Sequence, residues 1–187
     1  NYSRAEESYC KSLAILREME NVVGEGYSLC KIATIMSKTN RTKEAISYLF
    51  EALAIFERIN NLPLIAEAYS NIGATYLENK EYTKALTYLR DALVLAESTG
   101  KSNVMQSILY HISRAYYHTQ EFHRSLEFAR QALEYSQKRE DKRTEYQTLY
   151  LCSQIWEVLN NIDKAFFYHK EFTRVKEEFH GIEKQKL

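Results

Sequence analysis

The chain has 187 residues, 45% of them apolar, and its 25 basic residues balance its 25 acidic residues. A neutral chain without long runs of one charge lacks the basic surface that nucleic acids and anionic membranes attract, so we expect neither as a partner. Five glycines and one proline are too few for the turns of a multi-stranded sheet, which predicts an all-α protein. The sequence has no signal-peptide pattern and no run of 18 apolar residues, which favours a cytoplasmic location.

The first predicted element is a helix over residues 3–19, and four helical hairpins follow it, about nine helices in all. Polar clusters such as Asn60-Asn61 and Asn160-Asn161 separate the helices, and Pro63 suits the first turn of a helix. The first helices of the hairpins are predicted over 24–38, 63–79, 103–119 and 143–159. The second helices are predicted over 43–59, 82–98, 122–138 and 162–180.

Small residues recur in these helices with a period of 40 residues. In the leading helix and the second helices they are Ala5, Ala45, Ala85, Ser125 and Ala165. In the first helices they are Ala33, Gly73, Ser113 and Ser153, each followed three residues later by Met36, Tyr76, Tyr116 or Trp156. Small residues let paired helices approach closely, and the large neighbours fill the space beside them.

The stretch from Ala68 to Gly100, AYSNIGATYLENKEYTKALTYLRDALVLAESTG, is the clearest copy. Its spacing of aromatic, aliphatic and small residues resembles the tetratricopeptide repeat. The resemblance implies a right-handed α-solenoid of antiparallel hairpins. The usual repeat has about 34 residues and a closing proline, whereas this chain has 40 and no proline near Glu97, as in the 40-residue repeats of some signalling regulators. We therefore expect one array over 1–187: a leading helix 1–21, repeats 22–61, 62–101, 102–141 and 142–181, and an extension 182–187.

The family resemblance also implies a concave groove that binds an extended or helical peptide segment. Position by position, it assigns the groove to Lys31, Glu67, Asn71, Tyr110, His111, Arg114, Tyr150 and Gln154. Asn71 stands where the family often holds an asparagine, whose amide can both donate to and accept from a peptide backbone. Lys31, His111 and Arg114 make the groove mildly basic, which favours an acidic or carboxylate-bearing peptide. The alternative is that these are ordinary solvated residues.

Sequence motifs for catalysis, cofactors and metals are absent, so we expect a non-catalytic chain without a cofactor. His111 and His118 are seven residues apart, about 10 Å along a helix, which is too far for one metal ion. The three cysteines form no CxxC pair and are expected to be reduced and mostly buried.

The last helix carries a heptad-like seam at Phe172, Val175, Phe179 and Ile182, which predicts a dimerisation or linker surface. A helix that caps the array is the alternative for the part up to Phe172. The segment KEFTRVKEEFHGIEKQKL, residues 170–187, is similar to the junction in bacterial sensory proteins where repeats run into a coiled-coil linker.

Three functions follow from these patterns. The leading one is a protein-binding or peptide-binding module, the sensory or docking part of a larger bacterial signalling protein. The others are a scaffold that self-associates through its terminal helices, for example as a homodimer, and a receptor domain for a peptide pheromone or a small molecule.

Overall fold

The computed structural model describes residues 2–100 and 104–185, and within them it contains nine α-helices and no strand. The helices are α1 (Tyr2–Glu18), α2 (Val22–Lys38), α3 (Thr42–Arg58), α4 (Leu62–Glu78), α5 (Tyr82–Thr99), α6 (Met105–His118), α7 (Phe122–Lys138), α8 (Lys142–Val158) and α9 (Ile162–Gln185). The all-α prediction is confirmed. The predicted helix ends lie within two residues of these bounds, except that α9 continues to Gln185 and that residue 103 lies outside the described residues.

The chain divides into two compact units, residues 1–104 and residues 105–187. In the first unit, α2 pairs with α3 and α4 with α5, while α1 packs on α2 and α3 on α4. Fully buried Leu29, Ile32, Leu49, Phe56 and Ile72 fill the space between these helices. Each hairpin thus buries its apolar stripe against its own second helix and against the neighbouring hairpin.

The second unit repeats this arrangement with two hairpins. Here α6 pairs with α7 and α8 with α9, and α7 packs on α8. Its core contains the fully buried side chains of Ile108, Leu109, Ile112, Ile155 and Val175. The first helices α6 and α8 lie side by side, which places their exposed faces next to each other.

The small residues of the 40-residue period lie at the contact between the paired helices. Ala45, Ala85 and Ser125 are fully buried there. Ser125 faces Ser113, and each hydroxyl donates to the backbone carbonyl of the other residue at 2.8 and 2.7 Å. The serines therefore satisfy their polar atoms with each other, at two positions that hold alanine or glycine in the first two repeats.

Among the described residues, left-handed backbone occurs once in each turn, at intervals of 20 residues. These residues are Glu20, Asn40, Asn60, Lys80, Gly100, Gln120, Glu140 and Asn160, with φ between 50° and 63°. After four of them the next side chain caps the following helix by accepting a hydrogen bond from its backbone N–H; the caps are Asn21, Asn61, Asp141 and Asn161. With this spacing α1, α2, α3, α4, α7 and α8 each have 17 residues.

The last helix α9 covers α8 of the same chain. Val175 is fully buried, and the rings of Phe172 and Phe179 lie 6.2 and 5.5 Å from the ring of Tyr146. Of the predicted seam only Ile182 is largely exposed, at 42%. Phe172, Val175 and Phe179 therefore pack within the chain. Helix α8 covers the face of α9 for which the heptad-like spacing predicted a partner helix. None of the described helices combines the length and the apolar character needed to cross a bilayer.

Candidate peptide-binding surfaces

A cavity of about 330 Å³ lies between α6 and α8 in the second unit. Four residues that the repeat assigned to the groove line it: Tyr110, Arg114, Tyr150 and Gln154. The other lining residues are Tyr117, His118, Gln147 and Leu151. Tyr117 and His118 lie three and four residues after Arg114, Gln147 lies three residues before Tyr150, and Leu151 lies three residues before Gln154, so all four lie at helical spacing from the groove residues that the repeat assigned.

The lining of this cavity is cationic and rich in hydrogen-bonding groups. The Arg114 guanidinium lies 5.7 Å from the centre of the Tyr110 ring, which restrains both side chains. Among the described lining residues no carboxylate occurs, while Gln147 and Gln154 contribute amides that donate and accept. The cavity therefore suits an anionic group attached to a peptide backbone.

Helix α9 supports one wall of the cavity. The ring of Tyr150, 43% exposed, lies 5.0 Å from the ring of Phe172. Phe172 in turn lies 5.4 Å from the ring of His169, and the Lys176 ammonium lies 5.1 Å from its centre. Because aromatic contacts of this kind limit side-chain rotation, Tyr150 presents its exposed edge in a fixed orientation.

His111 does not line the cavity, although it follows Tyr110 directly. Its Nδ1 atom is buried and has no hydrogen-bond partner in the part of the chain that the structure describes. Burial and, to a smaller extent, the charge of Arg114 lower the pKa of His111 to about 3. The imidazole is therefore neutral near pH 7, and the expectation that His111 adds positive charge to the groove is wrong.

Lys31, Glu67 and Asn71 come together in the first unit, on α2 and α4. Burial raises the pKa of Glu67, and Lys31 offsets this only in part. Burial also raises the pKa of the Cys30 thiol to about 12, Glu67 raises it further, and the nearby Asn71 side chain opposes the shift. Within the described residues Glu67 forms no ion pair, so this cluster contains a half-buried carboxylate without a matching donor.

The cysteines are free, with Cys30 and Cys152 buried and Cys10 exposed. Burial raises the pKa of Cys152 to about 12 as well, which keeps both buried thiols protonated and unreactive near pH 7. In the part of the chain that the structure describes, no three His, Cys, Asp or Glu side chains are grouped so that they could hold a metal ion.

The structure resembles solved helical-repeat proteins over nearly its whole length. BtubC from P. vanneervenii aligns with a TM-score of 0.81 at 17% identity, over 95% of this chain and 74% of that protein. The Rap conjugation gene regulator of plasmid pLS20, solved with the Phr* peptide, aligns with a TM-score of 0.87 at 17% identity, over 96% of this chain and 50% of that one. A Rap protein complexed with Competence and Sporulation Factor aligns with a TM-score of 0.72 at 14% identity, over 97% and 60%. At these identities the likeness concerns the fold.

The sequence itself matches the family model of the tetratricopeptide repeat at residues 25–98 and 64–138. No curated protein sequence matches the chain. The two matched stretches together run from residue 25 to residue 138, which is more than half of the 187 residues. The chain belongs to the tetratricopeptide repeat family.

Proposed function

We propose that the chain is a peptide-binding module and that the cavity between α6 and α8 receives an acidic or C-terminal carboxylate group of the bound segment. The observation that carries this proposal is the convergence of Tyr110, Arg114, Tyr150 and Gln154 on one cavity. The repeat register assigns the same four residues to the groove.

The chemistry of the cavity fits such a ligand. An arginine can hold a carboxylate through two parallel N–H donors, which gives geometric selectivity as well as attraction. The tyrosines bury large surfaces at low cost in conformational entropy and keep a hydroxyl for hydrogen bonding. With a volume of about 330 Å³, the cavity holds one or two side chains and leaves the remainder of the peptide on the surface.

The pLS20 Rap regulator supports the proposal indirectly, because a protein of similar fold was solved in complex with a peptide. A peptide-receptor role is the variant of the function that this complex favours. We propose that the chain serves as the docking or sensory part of a larger signalling protein, whether or not the bound peptide is a signal.

The proposal is tested with two pools of fluorescein-labelled 12-residue peptides. The peptides of one pool carry Asp and Glu at varied positions in a background of Leu, Tyr and Gly. The peptides of the other pool carry Lys and Arg in place of the acidic residues. Fluorescence anisotropy should show binding of the acidic pool and none of the basic pool. The variant Arg114→Gln keeps a hydrogen-bonding group but removes the charge and shortens the side chain, and it should weaken binding at least tenfold, whereas Arg114→Lys, which keeps the charge, should retain part of the affinity.

Arg130→Gln is the matched control, because Arg130 is exposed on α7 and does not line the cavity. It should bind the acidic pool like the unmodified chain. Equal binding of both pools, or unchanged affinity of a folded Arg114→Gln variant, would contradict the proposal.

A further inference from the structure

Four residues of α9 form a face that points away from α8. Asp163, Phe166, Phe167 and Lys170 are spaced by three, four and seven residues and therefore share one side of the helix. The residues that pack on α8, such as Phe172 and Val175, lie about half a turn away around the helix axis. We name this face, Asp163 to Lys170, the α9 outer face.

The two phenylalanines of the α9 outer face are unusually exposed. Phe166 is 70% exposed and Phe167 is 57% exposed, and Ile162, one turn earlier, is 80% exposed. At the position of Phe167, the preceding repeats have the exposed polar residues Ser47, Thr87 and Glu127. The repeat architecture therefore does not require an aromatic residue here, and contiguous exposed apolar surface of this kind marks interaction sites.

The charges on the α9 outer face are arranged to complement the same face of a second copy. Asp163 lies three residues before Phe166, and Lys170 lies three residues after Phe167. When two such helices lie antiparallel with Phe166 of each against Phe167 of the other, each Asp163 faces the Lys170 of the other helix. Among the described residues, neither Asp163 nor Lys170 forms an ion pair within its own chain.

We infer that the α9 outer face binds the α9 outer face of a second copy of this chain, in an antiparallel and two-fold symmetric pair. A twofold interface uses the same patch on both subunits, and this patch carries its acidic and basic groups in the mirrored order that such symmetry demands. The phenylalanines supply the buried apolar centre, and the two ion pairs set the register and orientation. This surface is distinct from the seam at Phe172, Val175 and Phe179, and it is independent of the peptide cavity.

Sedimentation equilibrium of the full chain tests the apolar centre. The unmodified chain should show a monomer–dimer equilibrium without larger species, since a symmetric pair closes on itself. The double variant Phe166→Ser with Phe167→Ser should have a dimer dissociation constant at least tenfold higher than that of the unmodified chain. The control Val94→Ser removes another exposed apolar side chain, 64% exposed on α5, and should leave the equilibrium unchanged.

Charge reversal tests the register, with residues that are exposed and therefore tolerate substitution. In a pair of Asp163→Lys chains two lysines would face each other at both ends of the interface, and in a pair of Lys170→Asp chains two aspartates would. Each variant alone should therefore be monomeric. An equimolar mixture of the two variants should form a heterodimer, because every Lys then faces an Asp. Dimers in both single variants, monomers in the mixture, or a monomeric unmodified chain at high concentration would each overturn the inference.

Discussion

Gly73 of α4 lies so close to Leu89 of α5 that a Cβ atom on Gly73 would stand 2.6 Å from the Leu89 Cγ atom. The same Cβ would lie 3.1 Å from the backbone oxygen of Ala85, which cannot move aside. Gly73 is thus the point where the two helices of its hairpin touch, and the absence of a side chain there is a packing requirement.

The first prediction compares two glycine-to-alanine substitutions. Gly73→Ala should lower the free energy of unfolding by about 1–3 kcal/mol, because overpacking outweighs the better helix propensity of alanine. Gly181→Ala should raise it by up to about 1 kcal/mol, because Gly181 lies within α9 and nothing lies within 4 Å of its added Cβ. Urea denaturation followed by circular dichroism measures both. An unchanged or higher stability of Gly73→Ala would show that α4 and α5 can separate without loss.

The second prediction concerns the left-handed turn residues. Gln120 has a φ of 63°, which a residue with a Cβ adopts at a cost of roughly 1 kcal/mol. Gln120→Gly should therefore raise the free energy of unfolding by about 1 kcal/mol, and Gly100→Ala, at a φ of 60°, should lower it by a similar amount. Asn160→Gly serves as the comparison and should change less, since asparagine tolerates this conformation. Thermal unfolding of the three variants would refute the argument if Gln120→Gly melted below the unmodified chain.

The third prediction follows from the largely buried imidazole of His111. Its pKa is lowered from the usual 6.5 to about 3, so between these values the unfolded chain binds a proton that the folded chain does not. Stability from the neutral imidazole is complete above pH 6.5 and is lost as the pH falls towards 3, by about 2 kcal/mol at pH 5. The variant His111→Gln should lose less stability between pH 7 and pH 5 than the unmodified chain.

Urea titrations at both pH values measure this difference for His111. His123→Gln is the control, because His123 is exposed on α7. Parallel stability–pH curves for His111→Gln and the unmodified chain would mean that the imidazole titrates normally in the folded protein.

The fourth prediction concerns the half-buried carboxylate of Glu67. Burial raises its pKa above the usual 4.5, so the folded state binds the proton more tightly and stability falls as the pH rises through that raised pKa. Glu67→Gln should therefore raise the free energy of unfolding at pH 7, by roughly 1 kcal/mol or less, and should gain nothing at pH 4. Glu127→Gln, an exposed substitution on α7, should show no such gain. A loss of stability in Glu67→Gln at pH 7 would indicate that Lys31 compensates the charge fully.

The helices were predictable because their signals are local. A 40-residue period and polar turns determine where each helix begins and ends, and the repeat register brought Tyr110, Arg114, Tyr150 and Gln154 to one cavity. The state of His111 was not predictable, because its burial depends on side chains distant in the sequence. The spacing of Phe172, Val175 and Phe179 predicts a packed face of α9. The same spacing fits packing against a helix of another chain and packing against α8, and only the three-dimensional structure shows that α8 lies there.

The left-handed residue that returns every 20 positions has a consequence for how such a chain changes in length. One residue inserted within a helix rotates all later residues of that helix by about 100° and turns its apolar stripe towards water. Removal of residues 42–81 as a block instead joins Arg41 to Tyr82. Arg41 then precedes Tyr82 in the place of Glu81, and each of these two residues directly follows a left-handed residue, Asn40 or Lys80. The chain can therefore lose or gain whole 40-residue periods while every remaining helix keeps its phase, whereas single-residue changes of length are tolerated only in the turns.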